Sequence, residues 1–264
     1  CALPIYKNYD VVVTTSPIED ITINFVPNST DIGSVLPPSQ TVKATDSSAS
    51  QSVTATPKPG YKFVEWKLGD ESVSLEATFT PNKPETGWID GMTYTAVFAE
   101  RDKTIIHFVS EDENKGTVNG EANQSLNPDI GTATAVTAVP KDGYEFEGWY
   151  LNNVKVENAG AAFKPERPDA GWSEVTYTAK FTEKKVTIRY EATTGGTVTS
   201  ASEEIDAVTG EPKGSTARPN EGYAFDKWTT DREGKKAVTS ENPFAPTRQK
   251  ELYGKTELLI MHRE

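Results

Sequence analysis

The sequence predicts a mainly β protein built as three tandem small modules in an elongated array. Three observations carry that expectation. A motif of the form Pro-x-x-Gly-Tyr-x-Phe-x-x-Trp occurs three times, ending at Trp66, Trp149 and Trp228. Apolar and polar residues alternate over short runs bounded by Gly, Pro, Asn and Asp, the pattern of half-buried strands between turns. No window holds a convincing amphipathic helix: the best, Ser202 to Val208, is short and runs into Thr209-Gly210-Glu211-Pro212.

Each copy reads as five to six strands in a fixed order. The first strand alternates Ile21, Ile23 and Phe25 with Thr22 and Asn24, and its sisters carry Ile106/Phe108 and Ile188/Tyr190. A Gly-x-Val triplet follows at Gly33/Val35, Gly116/Val118 and Gly196/Val198. The motif then reads as a hairpin, leaving a strand at Pro57, turning through Gly60 and entering the next at Tyr61. Its aromatic positions are the expected repeat core: Tyr61, Phe63 and Trp66, then Tyr144, Phe146 and Trp149, then Tyr223, Phe225 and Trp228. Enclosed, such side chains bury roughly 150–250 Å² each, which a small module needs. Phe79-Thr80-Pro81, Phe163-Lys164-Pro165 and Phe244-Ala245-Pro246 come next, and Thr93–Phe98 and Thr176–Phe181 form the closing strands. In the third copy the closing strand has diverged, with Leu258 and Ile260 expected where Tyr94 and Ala96 stand, and His262 at the Phe98 position.

These recurrences divide the chain into an N-terminal extension, 1–20, and modules at 21–100, 103–183 and 185–264. The linkers, Arg101-Asp102-Lys103 and Lys184-Lys185, are short and charged, which restricts swinging between neighbours. Val11-Val12-Val13-Thr14 is a candidate extra strand.

Gly-Thr-Val at Gly116–Val118 and Gly196–Val198, Ser/Val-Thr-Ala at Val53–Ala55, Val136–Ala138 and Ser215–Ala217, Gly-Tyr-x-Phe-x-x-Trp, and Tyr-Thr-Ala-x-Phe together resemble the tandem repeats of bacterial surface proteins related to the internalin B-repeat, or Listeria–Bacteroides repeat. The resemblance covers everything after residue 20. It implies a β-grasp fold, a secreted or cell-surface location on the cell wall or a lipid anchor, and a stalk or adhesion role without catalytic residues. The units here are longer and show no helix, so grasp-like and sandwich-like modules both stand open.

Composition narrows the function classes. Lys and Arg total 27 against 39 Asp and Glu, a formal charge of -12, so phosphate backbones and anionic lipid surfaces are disfavoured partners. One cysteine rules out an internal disulfide and a cysteine-based zinc site. Two histidines leave little imidazole chemistry, and no Gly-x-Ser-x-Gly, His-Glu-x-x-His or phosphate-cradling loop occurs. His107 takes the strand position held by Asn24 and Arg189 in the sister copies, so it reads as a surface residue. Asp112-x-Asn114-x-Gly116 resembles the start of a calcium loop, but Asn123 stands where a bidentate acid is needed, and a solvated turn is expected.

The reading is therefore a non-catalytic surface repeat protein, with no cofactor, acting as a stalk or spacer or in adhesion, monomeric, with surface glycans or proteins as partners. Two alternatives have discriminating features. A specific glycan- or protein-binding adhesin would use aromatic residues outside the repeated core. Trp88 and Trp172 are the candidates, because the third copy lacks a counterpart where a core tryptophan should recur; the same absence fits a contact at a module joint, and simple local packing is the third reading. A glycoside hydrolase would need a deep pocket framed by two carboxylates roughly 5–9.5 Å apart. Cys1 at the start of the chain is a candidate lipid anchor, and the only membrane attachment expected.

Overall fold

The computed structural model describes residues 17–247 and, as backbone, the strand Glu257–Arg263. The described residues are mainly β with no helix, and the same arrangement of strands recurs three times. The chain divides into two units, Cys1–Lys103 with Asn127–Ile130, and Thr104–Leu126 with Gly131–Glu264.

In the first unit the strands are β1 (Asp20–Pro27), β2 (Gly33–Leu36), β3 (Ser39–Lys43), β4 (Val53–Pro57), β5 (Tyr61–Leu68), β6 (Glu71–Ser74), β7 (Thr78–Phe79) and β8 (Thr93–Glu100). They form a five-stranded sheet in the order β3-β1-β8-β5-β6 and a three-stranded sheet in the order β2-β4-β7. The central pair, β1 and β8, is parallel, with Phe25 opposite Tyr94; every other pair in the two sheets is antiparallel. This sheet order with a parallel centre is grasp-like. The place a helix would take across its face is filled by the small sheet, which makes each module a sandwich as well.

The core lies between the two sheets. Ile23, Phe25, Trp66, Tyr94, Ala96 and Phe98 from the large sheet meet Val53 and Ala55 from β4, all buried. Phe79 of β7 closes it, with ring centroids 5.2 Å from Trp66 and 5.9 Å from Tyr94. Alternation explains the selection: in β8, Tyr94, Ala96 and Phe98 face inward, and Thr93 and Ala99 are exposed. The Gly-x-Val glycine has a steric cause. A Cβ on Gly33 would overlap the Phe98 ring, and one on Gly116 would overlap Phe181.

The second unit holds two further copies. The first has β9 (Thr104–Ser110), β10 (Gly116–Asn119), β11 (Asn123–Leu126), β12 (Val136–Pro140), β13 (Tyr144–Leu151), β14 (Val154–Lys155), β15 (Ala162–Phe163) and β16 (Val175–Glu183). The next has β17 (Lys185–Ala192), β18 (Gly196–Val198), β19 (Ser202–Asp206), β20 (Ala217–Pro219), β21 (Phe225–Thr229), β22 (Ala237–Thr239) and β23 (Glu257–Arg263). Their large sheets run β11-β9-β16-β13-β14 and β19-β17-β23-β21-β22, again with a parallel centre, β9 with β16 and β17 with β23.

Three sequence expectations change, while the weak helix window at Ser202 is extended, in keeping with a mainly β chain. The strands number seven or eight per copy, because the short second-sheet strands lack a long alternating run. The Pro-x-x-Gly turn forms, with Tyr61 N donating to Lys58 O and Gly60 at φ 89°. It is not a hairpin, since β4 and β5 belong to different sheets, so it carries the chain across the core. The segment from Ser202 is strand β19. In β23 the register is one residue later than expected: Leu259 pairs with Tyr190 as Tyr94 does with Phe25, and Arg263 pairs with Phe225 as Phe98 does with Phe63. By register the counterparts of Tyr94 and Ala96 are Leu259 and Met261, one residue after the alternating pair Leu258 and Ile260.

The repeat-core residues divide by depth. Trp66, Trp149 and Trp228 are fully enclosed. Phe63, Phe146 and Phe225 are half-buried, each 6.1 Å from its tryptophan. Tyr61 and Tyr144 are half-buried at the sheet end. Tyr223 is 40% exposed and is not a core residue. Its ring lies over Gly195, where a Cβ would come within 2.6 Å of it, so it covers a turn instead of entering the sandwich.

Candidate functional site

Trp88 and Trp172 lie inside their own modules. Trp88 is 8% exposed and belongs to the first core; Trp172 is 5% exposed and belongs to the second. Trp88 Nε1 donates to Asp46 O at 2.8 Å and Trp172 Nε1 to Gly131 O at 2.8 Å. Each indole pins the long segment before the closing strand onto the loop that follows the third strand, satisfying its one donor while its ring is buried. Neither offers a solvent-facing platform. Of the three readings the sequence leaves open, local packing is the one that their burial and hydrogen bonds agree with.

An open groove of about 590 Å³ lies in the first module between the edge strand β6 and the segment from Phe79 to Thr86. Phe79 and Tyr94 reach it from the core, and Ser72, Thr80, Asn82 and Lys83 supply polar groups. Glu71 and Glu85 also line it. Burial raises the Tyr94 hydroxyl above its ordinary value, which keeps it neutral. The sequence gives no local sign of this groove, because its walls come from segments apart in the chain, Leu68–Val73, Phe79–Thr86 and Tyr94.

The residues tested for chemistry sit in structural roles. His107 shares a hydrogen bond with Asn123 Oδ1 at 2.7 Å, its partner across β9 and β11, and Glu174 stands 3.9 Å away. Asp112 closes the β9–β10 turn, accepting from Asn114 N at Oδ1 (2.9 Å) and from Lys115 N at its carbonyl (3.0 Å). Among the described residues no group of three or more His, Cys, Asp or Glu is placed to hold a metal ion. Cys1, Val11–Thr14 and the side chain of His262 lie outside the described residues.

Sequence reasoning missed the turn after the third strand. Within the second unit, Lys184 is the single residue between β16 and β17; its N donates to Gly143 O and its O accepts from Ala207 N, both at 2.9 Å. Next to it Glu183 Oε2 accepts from Val208 N (3.0 Å), Thr209 N (2.9 Å) and Thr209 Oγ1 (3.2 Å). Burial alone would raise the Glu183 pKa, but the Thr209 and Val208 hydrogen bonds outweigh it and hold the carboxyl below its ordinary value. The turn of the third module is thereby fastened to the motif glycine and closing strand of the second. The first unit contains a matching set: Arg101 N and Asn127 Nδ2 donate to Gly60 O, and Asp129 accepts from Gly60 N at 2.9 Å and Arg101 Nη1 at 2.6 Å. Asn-Pro-Asp and Ala-Val-Thr share no letters, so only their place after the third strand could have signalled the common role.

A comparison with curated proteins finds no match. Among solved structures, the chain is similar to the pilus adhesin SpaC from Lactobacillus rhamnosus GG. One crystal form gives 8% identity and a TM-score of 0.20, covering 93% of this chain and 42% of the adhesin. The open conformation gives 11% and 0.18, covering 94% and 43%. The chain thus spans less than half the length of that adhesin, and the similarity is too low to carry an argument about fold. The family profile is of another order: the divergent InlB B-repeat domain matches three times, at residues 22–102, 109–185 and 186–252. With three successive matches over most of its length, the chain belongs to the divergent InlB B-repeat domain family.

Proposed function

We propose that the chain is a non-catalytic, extracellular surface repeat that spaces or presents a neighbouring domain and takes part in adhesion. The observation that supports this most is repetition with closure. Each module pairs its own first and last strands and keeps its own core, so modules can be strung in series without sharing one interior. The Glu183 and Lys184 hydrogen bonds support a spacer in particular, because a one-residue linker fastened on both sides limits swinging. Membership of the divergent B-repeat family supports the surface location. The test is cell-surface display with an epitope beyond the last module. Deleting one module should lower antibody access to the epitope beneath a dense polysaccharide layer, and unchanged access would refute a spacing role.

A second reading rests on the groove of the first module. Its aromatic floor and polar rim suit a glycan or an extended peptide better than a hydrophobic ligand. Glycan-array binding with and without Asn82→Ala tests it; Asn82 is exposed on the rim, so the substitution leaves the core intact. Equal binding by both proteins would remove the groove from consideration.

A further inference from the structure

We infer that each module is a shear-loaded mechanical clamp, built to resist tension along the chain; the inference rests on the spacer reading for its use, and on strand geometry for its substance. Tension in the chain enters a module at its first strand and leaves at its last. In the first module those are β1 and β8, paired side by side and parallel from Asn24 with Thr93 to Pro27 with Ala96. The N-terminal end of β1 and the C-terminal end of β8 therefore lie at opposite ends of the pair, and pulling on both slides the strands along their common axis. Hydrogen bonds in a parallel ladder are evenly spaced, so they take the load together instead of opening one after another. The same pairing recurs from Ile106 with Val175 to Ser110 with Ala179, and from Ile188 with Glu257 to Ala192 with Met261. Each clamp is central in its sheet, flanked by an antiparallel strand on either side.

The first module lengthens its clamp with a side chain. Proline ends β1 at residue 27 and has no N–H for the ladder. Asn28 continues it: its own N donates to Ala96 O at 2.8 Å, its Nδ2 donates to Phe98 O and its Oδ1 accepts from Phe98 N, both at 3.1 Å. The amide thus stands in for a further backbone residue. In the second module Glu111 takes this position. Its N donates to Ala179 O at 2.9 Å, and its Oε1 pairs with Lys180 Nζ on β16 at 2.9 Å. Two different residue types extending the same ladder indicate that the position, not one packing accident, is under demand.

The experiment is single-molecule force spectroscopy on the whole chain, pulled in two directions. Terminal handles load the clamps in shear. For the crosswise direction, Thr41→Cys and Glu71→Cys in a Cys1→Ser background place the handles on exposed positions of the edge strands β3 and β6. Forced rupture reports the unfolding rate under load, so direction can change it at constant stability. At equal loading rate the terminal pull should rupture at a several-fold higher force than the crosswise pull. Equal forces would overturn the clamp. Asn28→Ala should lower one of the terminal-pull events and leave the crosswise force unchanged; a proportionate loss in both directions would mean Asn28 only stabilises the fold, against the proposal. The display assay is independent: isotropic rupture with successful spacing removes the clamp alone, and directional rupture with failed spacing removes the spacer reading and leaves the clamp standing.

Discussion

The second and third modules carry one topology on different chemistry. In the second, Val136 lies buried on β12, and Ala138 N donates to Ala161 O across to the β15 segment. In the third, Ser215 stands in place of the valine, buried, with its hydroxyl donating to Ser200 O at 2.9 Å and accepting from Ser200 N at 3.0 Å. The side chain of Asn242 replaces the backbone of Ala161, its Oδ1 accepting from Ala217 N at 2.8 Å and its Nδ2 donating to Ala217 O at 2.9 Å. The third strand of the small sheet shrinks to a bridge between Ser215 and Phe244. Trp149 Nε1 donates to Ala161 O at 3.3 Å, as Trp66 does to Ala77 O at 3.1 Å. Trp228, equally buried, finds no partner for its Nε1 among the described residues. The lesson is that the sandwich tolerates a polar rim where side chains can mimic the missing strand, and that the tryptophan ring is kept for its volume even where no described residue accepts its hydrogen bond.

The largest expected effect tests the ring itself. Trp149→Ala and Trp228→Ala should each cost about 3–5 kcal/mol in chemical denaturation of the chain, since both leave cavities in sealed cores. The contrast is sharpened by phenylalanine. Trp149→Phe removes one of the two hydrogen bonds to the Ala161 carbonyl, which keeps Ala138 N as a donor, whereas Trp228→Phe removes a donor with no partner among the described residues, so it should be milder by about 0.5–1.5 kcal/mol. Equal losses would break the comparison.

Asn242→Ala comes next, at about 2–3 kcal/mol, because both the N–H and the carbonyl of Ala217 lose their partner. Asn242→Asp should recover only the acceptor half of the pair, and thermal melts can rank the three proteins. Ser215→Ala follows at about 1–2 kcal/mol through the loss of both Ser200 bonds. Ser215→Val restores the residue of the other copies but leaves the same Ser200 groups unpaired. If it stabilises the module, the hydrogen bonds are dispensable and the polar substitution has no structural purpose.

The smallest effect concerns the fastening between these two modules. Glu183 has a depressed folded-state pKa, so its contribution is present above the ordinary carboxylate value, near 4.5, and is lost as pH falls through the folded value. Glu183→Gln should therefore cost under about 1 kcal/mol at neutral pH, consistent with a partly exposed carboxylate, and progressively less as acid protonates the folded-state carboxyl. Amide exchange at Val208 and Thr209 would report it; a cost independent of pH would show that charge plays no part.

Much of this was legible before any fold. The three tryptophans stood out because enclosed rings tolerate no substitute, and Gly33 and Gly116 recur because Phe98 and Phe181 leave no room for a Cβ. The sequence could not choose among the readings of Trp88 and Trp172 for a physical reason: their hydrogen bonds reach back 42 and 41 residues to carbonyls that carry no residue-type signal. The motif turn was placed correctly along the chain but assigned to one sheet, since local sequence does not say which strands pair across a corner. The groove was invisible for the same reason.

By itself the sequence determined the repeat length, the strand character and the tryptophan at the centre of each core, because these follow from alternation and side-chain volume within short windows. Tertiary structure decided the rest. It set the first strand beside the last, brought the turn after the third strand onto Glu183 and Lys184 in the second unit, and let Asn242 serve as a strand. Those are pairings of backbone groups far apart in the chain, and every non-proline residue carries the same N–H and C=O, so no letter of the sequence names the partner.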